Sequence, residues 1–351
     1  MNPLVTIIIA TFNSEKFLPR VLNAISEQNY PKNKIEILLV DGGSIDETIF
    51  IAKKYKCRII KNPRTEPVYG KYLAFLKSRG KYVMYVDHDE VMLNKNSISS
   101  KVLALTENSG VKAVAGGNYR SPMGYPFINE YINEFGDPFS FFIYRISKRD
   151  GFFLNSMLKK YPVKRQTRKC AVFDLSDVNN LPLIELVAGG SMFDAEYLKK
   201  EFPETKEKME LLPHYFYLLY SKYPEVIVMK NDPILHYSAD TMQKYLKKIT
   251  WRVKNNIYFY STMGKSGYSG REDFQFGFFK LKKLLFIPYS FSLILPLIDS
   301  VYLIITRHNY YYVLHLLLCL YTASLISYHY ILKFFGYNPK LRSYDGSKEV
   351  K

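Results

Sequence analysis

Residues 80–90 of this 351-residue chain read GKYVMYVDHDE. The run Tyr82 to Val86 is apolar, lacks helical spacing and is too short for a core helix, so it reads as a strand buried on both faces. It ends abruptly in Asp87, His88, Asp89 and Glu90. Two carboxylates spaced i, i+2 at a strand end are costly unless they meet a cation. A hard divalent ion held by one or two carboxylates completes its shell with phosphate oxygens and water, which makes this a candidate nucleotide-diphosphate site. Standing alone, a D-x-D is usually a solvated turn. Its meaning depends on the chain around it.

Outward from that strand, β-type apolar runs recur at Val5 to Ala10, Ile35 to Val40, Arg58 to Ile60 and Ala113 to Ala115. Helical-length stretches near 14–28, 46–55, 68–78 and 97–108 separate them. Alternating strands and helices predict an α/β domain with a mostly parallel central sheet covered on both faces, in which ligands bind at the carboxyl ends of the strands. The polar residues after each strand are therefore the ones of interest. After the first strand come Thr11, Phe12 and Asn13. After the second come Asp41, Gly42, Gly43 and Ser44. An acid there can accept hydrogen bonds from a nucleoside, and the glycines let a ligand approach the backbone. The alternative is an ordinary strand–turn–helix junction capped by Ser44 or Asp46.

Three segments, VTIIIATFNSEKFLPRVLNAISEQ, IEILLVDGGSIDET and GKYVMYVDHDE, together resemble in order and spacing the family 2 glycosyltransferases, inverting enzymes of the GT-A fold. The resemblance covers about residues 3 to 255. It implies that Thr11, Phe12 and Glu15 line a nucleotide pocket and that Asp41 contacts the base. It further implies that Asp87 and Asp89 hold ribose, diphosphate and Mg²⁺ or Mn²⁺, with Asp89 essential to catalysis. Gly189, Gly190 and Ser191 are similar to the small-residue turn beside the acceptor, and His236 stands where the family often has a histidine. Lys248, Thr250, Trp251 and Arg252 resemble a Q-x-x-R-W element in part, with lysine for glutamine and threonine for the first arginine. Lys71 lies where a cation could meet the diphosphate, the alternative being a solvated lysine.

The main departure concerns the general base, for which the family commonly uses an acidic pair opening a helix roughly 25 residues before the histidine. Glu210 stands nearest that place and precedes the apolar-periodic segment Tyr215 to Tyr220, with Glu207 and His214 as alternatives. A hydroxyl acceptor needs a base, whereas a lipid phosphate is already an anion and needs none. The weakened acidic pair therefore favours a polyprenyl phosphate acceptor.

The formal charge is +17, and the windows 141–170 and 241–283 carry nearly all of the excess. Such charge points to anionic partners. Just beyond the second window, Leu284 to Ile305 carries a single charge and is long enough to span a bilayer, and a second run covers Tyr311 to Phe335. Together they predict a membrane hairpin, with an interfacial or re-entrant pair as the alternative, since Pro288, Pro296 and Asp299 interrupt the first run. Lysines flanking the outer ends place the N-terminal bulk on the cytoplasmic face of the cell membrane. Anionic headgroups or a lipid phosphate suit the basic windows better than nucleic acid does. The stretch MNPLVTIIIA lacks the features of a secretory signal, and Cys57, Cys170 and Cys319 form no disulfide or zinc pattern.

The expected organisation is a catalytic domain over 1–240, a basic amphipathic interface linker over 241–283, a two-helix transmembrane hairpin over 284–335 and a polar tail over 336–351. The expected activity is metal-dependent transfer of a sugar from a nucleotide-diphosphate sugar, by family habit a UDP-sugar, to a lipid-linked glycan or polyprenyl phosphate. Two rivals stand beside it. A sugar nucleotidyltransferase would carry a glycine-rich, basic loop after the first strand, which Phe12 to Glu15 is not. A glycosyltransferase-like membrane scaffold that has lost turnover would account for the incomplete acidic pair.

Overall fold

The computed structural model describes residues 2–259 and 271–340. Its strands are β1 (Val5–Thr11), β2 (Ile35–Asp41), β3 (Arg58–Lys61), β4 (Tyr82–Tyr85), β5 (Glu90–Met92), β6 (Ala113–Val114), β7 (Tyr119–Arg120), β8 (Val163–Gln166), β9 (Cys170–Asp174), β10 (Met192–Asp194), β11 (Glu225–Met229) and β12 (Ile234–His236). Nine of them form one sheet in the order β3-β2-β1-β4-β10-β6-β11-β9-β8. All seven residues of β1 are buried, as a strand covered on both faces requires.

The four N-terminal strands are parallel, as the alternating pattern predicts. The sheet as a whole is mixed, which corrects the expectation of a mostly parallel one. Strand β10 enters antiparallel between β4 and β6, and β9 runs antiparallel to both β11 and β8. Strand β10 has three residues and pairs with strands far away in sequence, so no local signal announces it, whereas β8 and β9 pair across a short local turn. A second sheet, β5-β12-β7, stands beyond the end of β4. Its register sets His236 opposite Glu90, and that pairing carries the histidine to the carboxylate end of the molecule.

The C-terminal segment departs from a simple hairpin. The first apolar run is broken into helices Phe286–Phe291 and Ile294–Arg307, the second of which turns 90° from the first. Pro296 cannot donate the hydrogen bond that would continue the helix through Ser292, and Leu293 takes a left-handed φ of 59° at the corner. The second run continues as a helical segment over Tyr310–Phe334, 25 residues long. Helix Met242–Tyr258, within the expected linker, packs against it and against helix Phe127–Phe135. Phe286, Tyr289, Cys319 and Ala323 join the same apolar cluster as Phe75, Tyr85 and Phe193 of the α/β domain.

Candidate active site

Two loops at the carboxyl edge of the sheet lock together. Asn13 N–H donates to Ser44 Oγ at 2.8 Å, and Asn13 Oδ1 accepts from Ile45 N–H at 3.0 Å. Glu15 N–H donates to Asp46 while the Glu15 carboxylate accepts from Glu47 N–H. Asp41 accepts from Gly43 N–H, Ser44 N–H and the Ser44 hydroxyl, anchoring the turn that follows β2. Neither Glu15 nor Asp41 lines the cleft, whereas Thr11, Phe12 and Asn13 do.

The cleft encloses 1180 Å³ and holds the D-x-D at its centre. Lys71 sits on helix Pro67–Lys77, which Glu66 caps by accepting from the Val68 and Tyr69 amides. The helix aims Lys71 at Asp87, with Nζ 2.5 Å from the carboxylate and 2.6 Å from the Val187 carbonyl oxygen. The lysine is buried, not solvated. Burial works against its charge, but the Asp87 carboxylate outweighs this and the ammonium is held above the usual lysine range. Asp89 lies 3.8 Å from His236 Nε2. Burial pushes its carboxyl upward, yet the charges of His88, His236 and Lys248 hold it below the usual carboxylate range. Glu90, wholly buried, accepts from Gly189 N–H, Tyr119 O–H and Asp87 N–H. Burial first, then the neighbouring Asp87 and Asp89, raise its pKa to about 8.

Deeper in the cleft lies a group that the sequence does not single out. Glu185 is held between Arg271 at 2.5 Å and Lys148 at 3.7 Å. Burial opposes its charge, but those two cations hold its carboxyl far below the usual range. Lys148 and Arg271 fall in the two basic windows, which is the one trace they leave in the sequence. Glu185 leaves none. Lys248, Trp251 and Arg252 also line the cleft, and Arg252 pairs with Asp137 at 2.9 Å. Burial lowers the Lys248 pKa to about 8, against the pull of Asp89.

Past these cations the wall turns apolar, through Phe139, Val253 and Ile257 to Leu284, Ile287 and Ile326 of the C-terminal segment. One cavity therefore joins the carboxylates to the hydrophobic helices. The other anticipated acceptor residues stand behind it. Gly189 and Gly190 make a turn with φ of 66° and 65°, flanked by the lining residue Ala188, and Ser191 is fully buried. Glu210, Glu207 and His214 are not among the lining residues, and Glu210 lies instead near Tyr72 of helix Pro67–Lys77.

As for a metal, no cluster of three or more His, Cys, Asp or Glu ligands exists among the described residues. Two carboxylates of hard oxygen at the floor of an open cleft fit an ion that shares its shell with substrate phosphates, not a preformed protein cage.

A sheet whose parallel half ends in a D-x-D over an open cleft defines the GT-A class of nucleotide-sugar transferase folds. Residues 6–181 match the model of glycosyl transferase family 2, and the chain belongs to that family. Among curated relatives, the poly(ribitol-phosphate) beta-N-acetylglucosaminyltransferase TarS of Staphylococcus aureus is 29% identical over 109 residues, which cover 29% of this chain and 19% of that protein. A dolichyl N-acetyl-alpha-D-glucosaminyl phosphate 3-beta-D-2,3-diacetamido-2,3-dideoxy-beta-D-glucuronosyltransferase of Methanococcus voltae is 36% identical over 73 residues, 19% of this chain and 23% of that protein. The chain thus matches about a fifth of the length of these relatives. In fold it is similar to the mannosyltransferase PcManGT of Pyrobaculum calidifontis, solved with GDP-Man and Mn²⁺. The TM-score is 0.51 and the identity 13%, over 94% of this chain and 88% of that one.

Proposed function

We propose that the protein is a membrane-associated, inverting glycosyltransferase that moves a sugar from a nucleotide-diphosphate sugar to a polyprenyl phosphate or lipid-linked glycan. The observation that carries this reading is the single cavity running from Asp87 and Asp89 to the apolar residues Leu284, Ile287 and Ile326. A water-soluble acceptor has no use for an apolar passage leading to exposed hydrophobic helices, whereas a lipid tail does. The dolichyl-linked substrate in the name of the Methanococcus voltae relative agrees with this reading.

The acceptor oxygen attacks the anomeric carbon as the bond from that carbon to the diphosphate breaks on the opposite face, in one displacement. Held close and aligned, the two reactants meet at a much higher effective concentration than in solution. Thr11, Phe12 and Asn13 bound the donor side, and Lys71 offsets charge gathering on the departing diphosphate. Asp87 and Asp89 would hold Mg²⁺ or Mn²⁺, which supplies charge neutralisation to the leaving group when bound. Lys148, Lys248, Arg252 and Arg271 offset the charge of an acceptor phosphate at the neck of the apolar passage. A phosphate oxygen is already ionised, so this acceptor needs no proton taken from it.

The test is transfer by the detergent-purified protein from a panel of UDP-, GDP- and dTDP-sugars to polyprenyl phosphate, with Mn²⁺ or EDTA. Metal-dependent transfer that falls at least 100-fold in Asp89→Ala and survives in Glu210→Gln is expected. Transfer to hydroxyl acceptors alone, or silence with every donor, would overturn the lipid-phosphate reading.

A further inference from the structure

The two C-terminal helices carry their burial the wrong way round for water. Along Ile294–Arg307 the buried face is Pro296, Asp299, Ser300 and Leu303, while the exposed face is Ile294, Leu295, Leu297, Ile298, Val301 and Ile305. On the longer helix Leu317, Ile331 and Phe334 are exposed in the same manner. A monomer in water seldom shows so large a continuous apolar patch.

The polar face is tied to the catalytic domain, and to the helix Met242–Tyr258 packed on it, from end to end. Asp299, in the middle of its helix, takes two bonds from Arg145, one at 2.7 Å. Arg307, at the end, meets the wholly buried Glu134 at 2.6 Å, and Tyr312 bonds the same carboxylate. Further on, His315 meets Tyr131 at 2.6 Å and Tyr321 meets Thr250 at 3.0 Å. Tyr258 donates to the His329 carbonyl oxygen at 2.8 Å, and Lys333 donates to that of Ile257 at 2.6 Å. The contacts to residues 250 and 258 fall at equal spacing on both helices, so the long helix runs alongside Met242–Tyr258 and does not leave it.

A helix that crosses a bilayer needs roughly 30 Å free of a charged, hydrated domain. Here the long helix touches that domain or the polar helix Met242–Tyr258 along its length, and Ile294–Arg307, at 14 residues and about 21 Å, is too short to cross. Building on the membrane association proposed above, we infer that both helices lie in the plane of a single leaflet, with the apolar face in the acyl chains and the domain resting on the headgroups. Exposed Lys280 and Lys333 at the rim suit anionic headgroups. The occupant of this surface is thus an anionic lipid leaflet, not a protein partner.

The test places single cysteines in the full-length chain on a Cys57→Ser background, Cys170 and Cys319 being buried. His308→Cys and Tyr310→Cys probe the link between the helices, and Ser176→Cys marks an exposed loop of the domain. Labelling with a membrane-impermeant maleimide is compared between intact cells and inverted vesicles, and flotation is measured with phosphatidylcholine vesicles with and without phosphatidylglycerol. We expect the link to label only from the side that labels Ser176→Cys, and flotation to increase with the anionic lipid. Labelling from the opposite side in either link variant would show a spanning hairpin and overturn the inference while leaving membrane association intact. Protection from both sides would show a re-entrant hairpin and overturn it likewise. Failure to float on any vesicle would overturn the membrane reading itself.

Discussion

Glu90 shows how one buried carboxylate ties fold to chemistry. It holds the Gly189 amide, the Tyr119 hydroxyl and the Asp87 amide, so it fixes the D-x-D loop against the turn beside β10. Its pKa rises from 4.5 to about 8 on folding. The folded state then keeps a proton that the unfolded state has released, so this group's contribution to stability is complete below pH 4.5 and is lost as pH rises through about 8. In metal-free buffer, urea midpoints between pH 5 and 9 should fall with pH in the wild type and less steeply in Glu90→Gln. Lys248 titrates in the same range, because burial favours the neutral form here too and lowers its pKa to about 8. Its charge fades as pH rises through that value, so binding of anionic ligand should weaken on the alkaline side, and Lys248→Met should remove that dependence in an equilibrium titration. Gly189 is constrained sterically. With a φ of 66°, a methyl group there would stand 2.4 Å from the Tyr119 hydroxyl oxygen. Gly189→Ala should therefore lower stability by roughly 1 to 3 kcal/mol in thermal unfolding.

At the scale of elements, what the sequence announced and what it hid follow one rule. The strands through Val5–Thr11, Ile35–Asp41 and Tyr82–Tyr85 are continuous apolar runs set between helices, and each leaves a local pattern. The D-x-D is legible because it ends one of them. Strands β10 and β12 have three residues each and take their meaning from partners at least 78 residues away. Glu185 is hidden for the same cause, since only folding brings Lys148 and Arg271 to it. Position before a helix is the one local guide to Glu210 as the base, and the chain places that residue outside the cleft. The two C-terminal runs are apolar, but the first is broken at Leu293 and the polar residues of both act as anchors to the rest of the chain, which no hydropathy window records. Glu134, wholly buried on helix Phe127–Phe135, is the partner of two of these anchors, Arg307 and Tyr312. Removing one partner of a buried ion pair typically costs about 3 to 5 kcal/mol, so Glu134→Ala should lower thermal stability by about that much and expose the last two helices to protease.

Over the whole molecule, the +17 charge is spent inward as well as outward. Arg145, Lys148, Arg149, Arg252 and Arg271 each meet a carboxylate, in most cases where helices join the cleft or one another. High salt should therefore weaken vesicle binding through the exposed lysines while leaving the fold intact, a contrast that flotation and circular dichroism would show in parallel. The shared core has a consequence for biosynthesis. Phe286, Tyr289, Cys319 and Ala323 complete the same apolar cluster that begins with Ile8. When the ribosome has made the whole α/β sheet, that cluster still lacks one wall, and the missing wall is the part proposed to meet lipid. On the membrane association proposed above, the nascent chain reaches the membrane with its catalytic half unfinished, and closure of the core and arrival at the bilayer become one event.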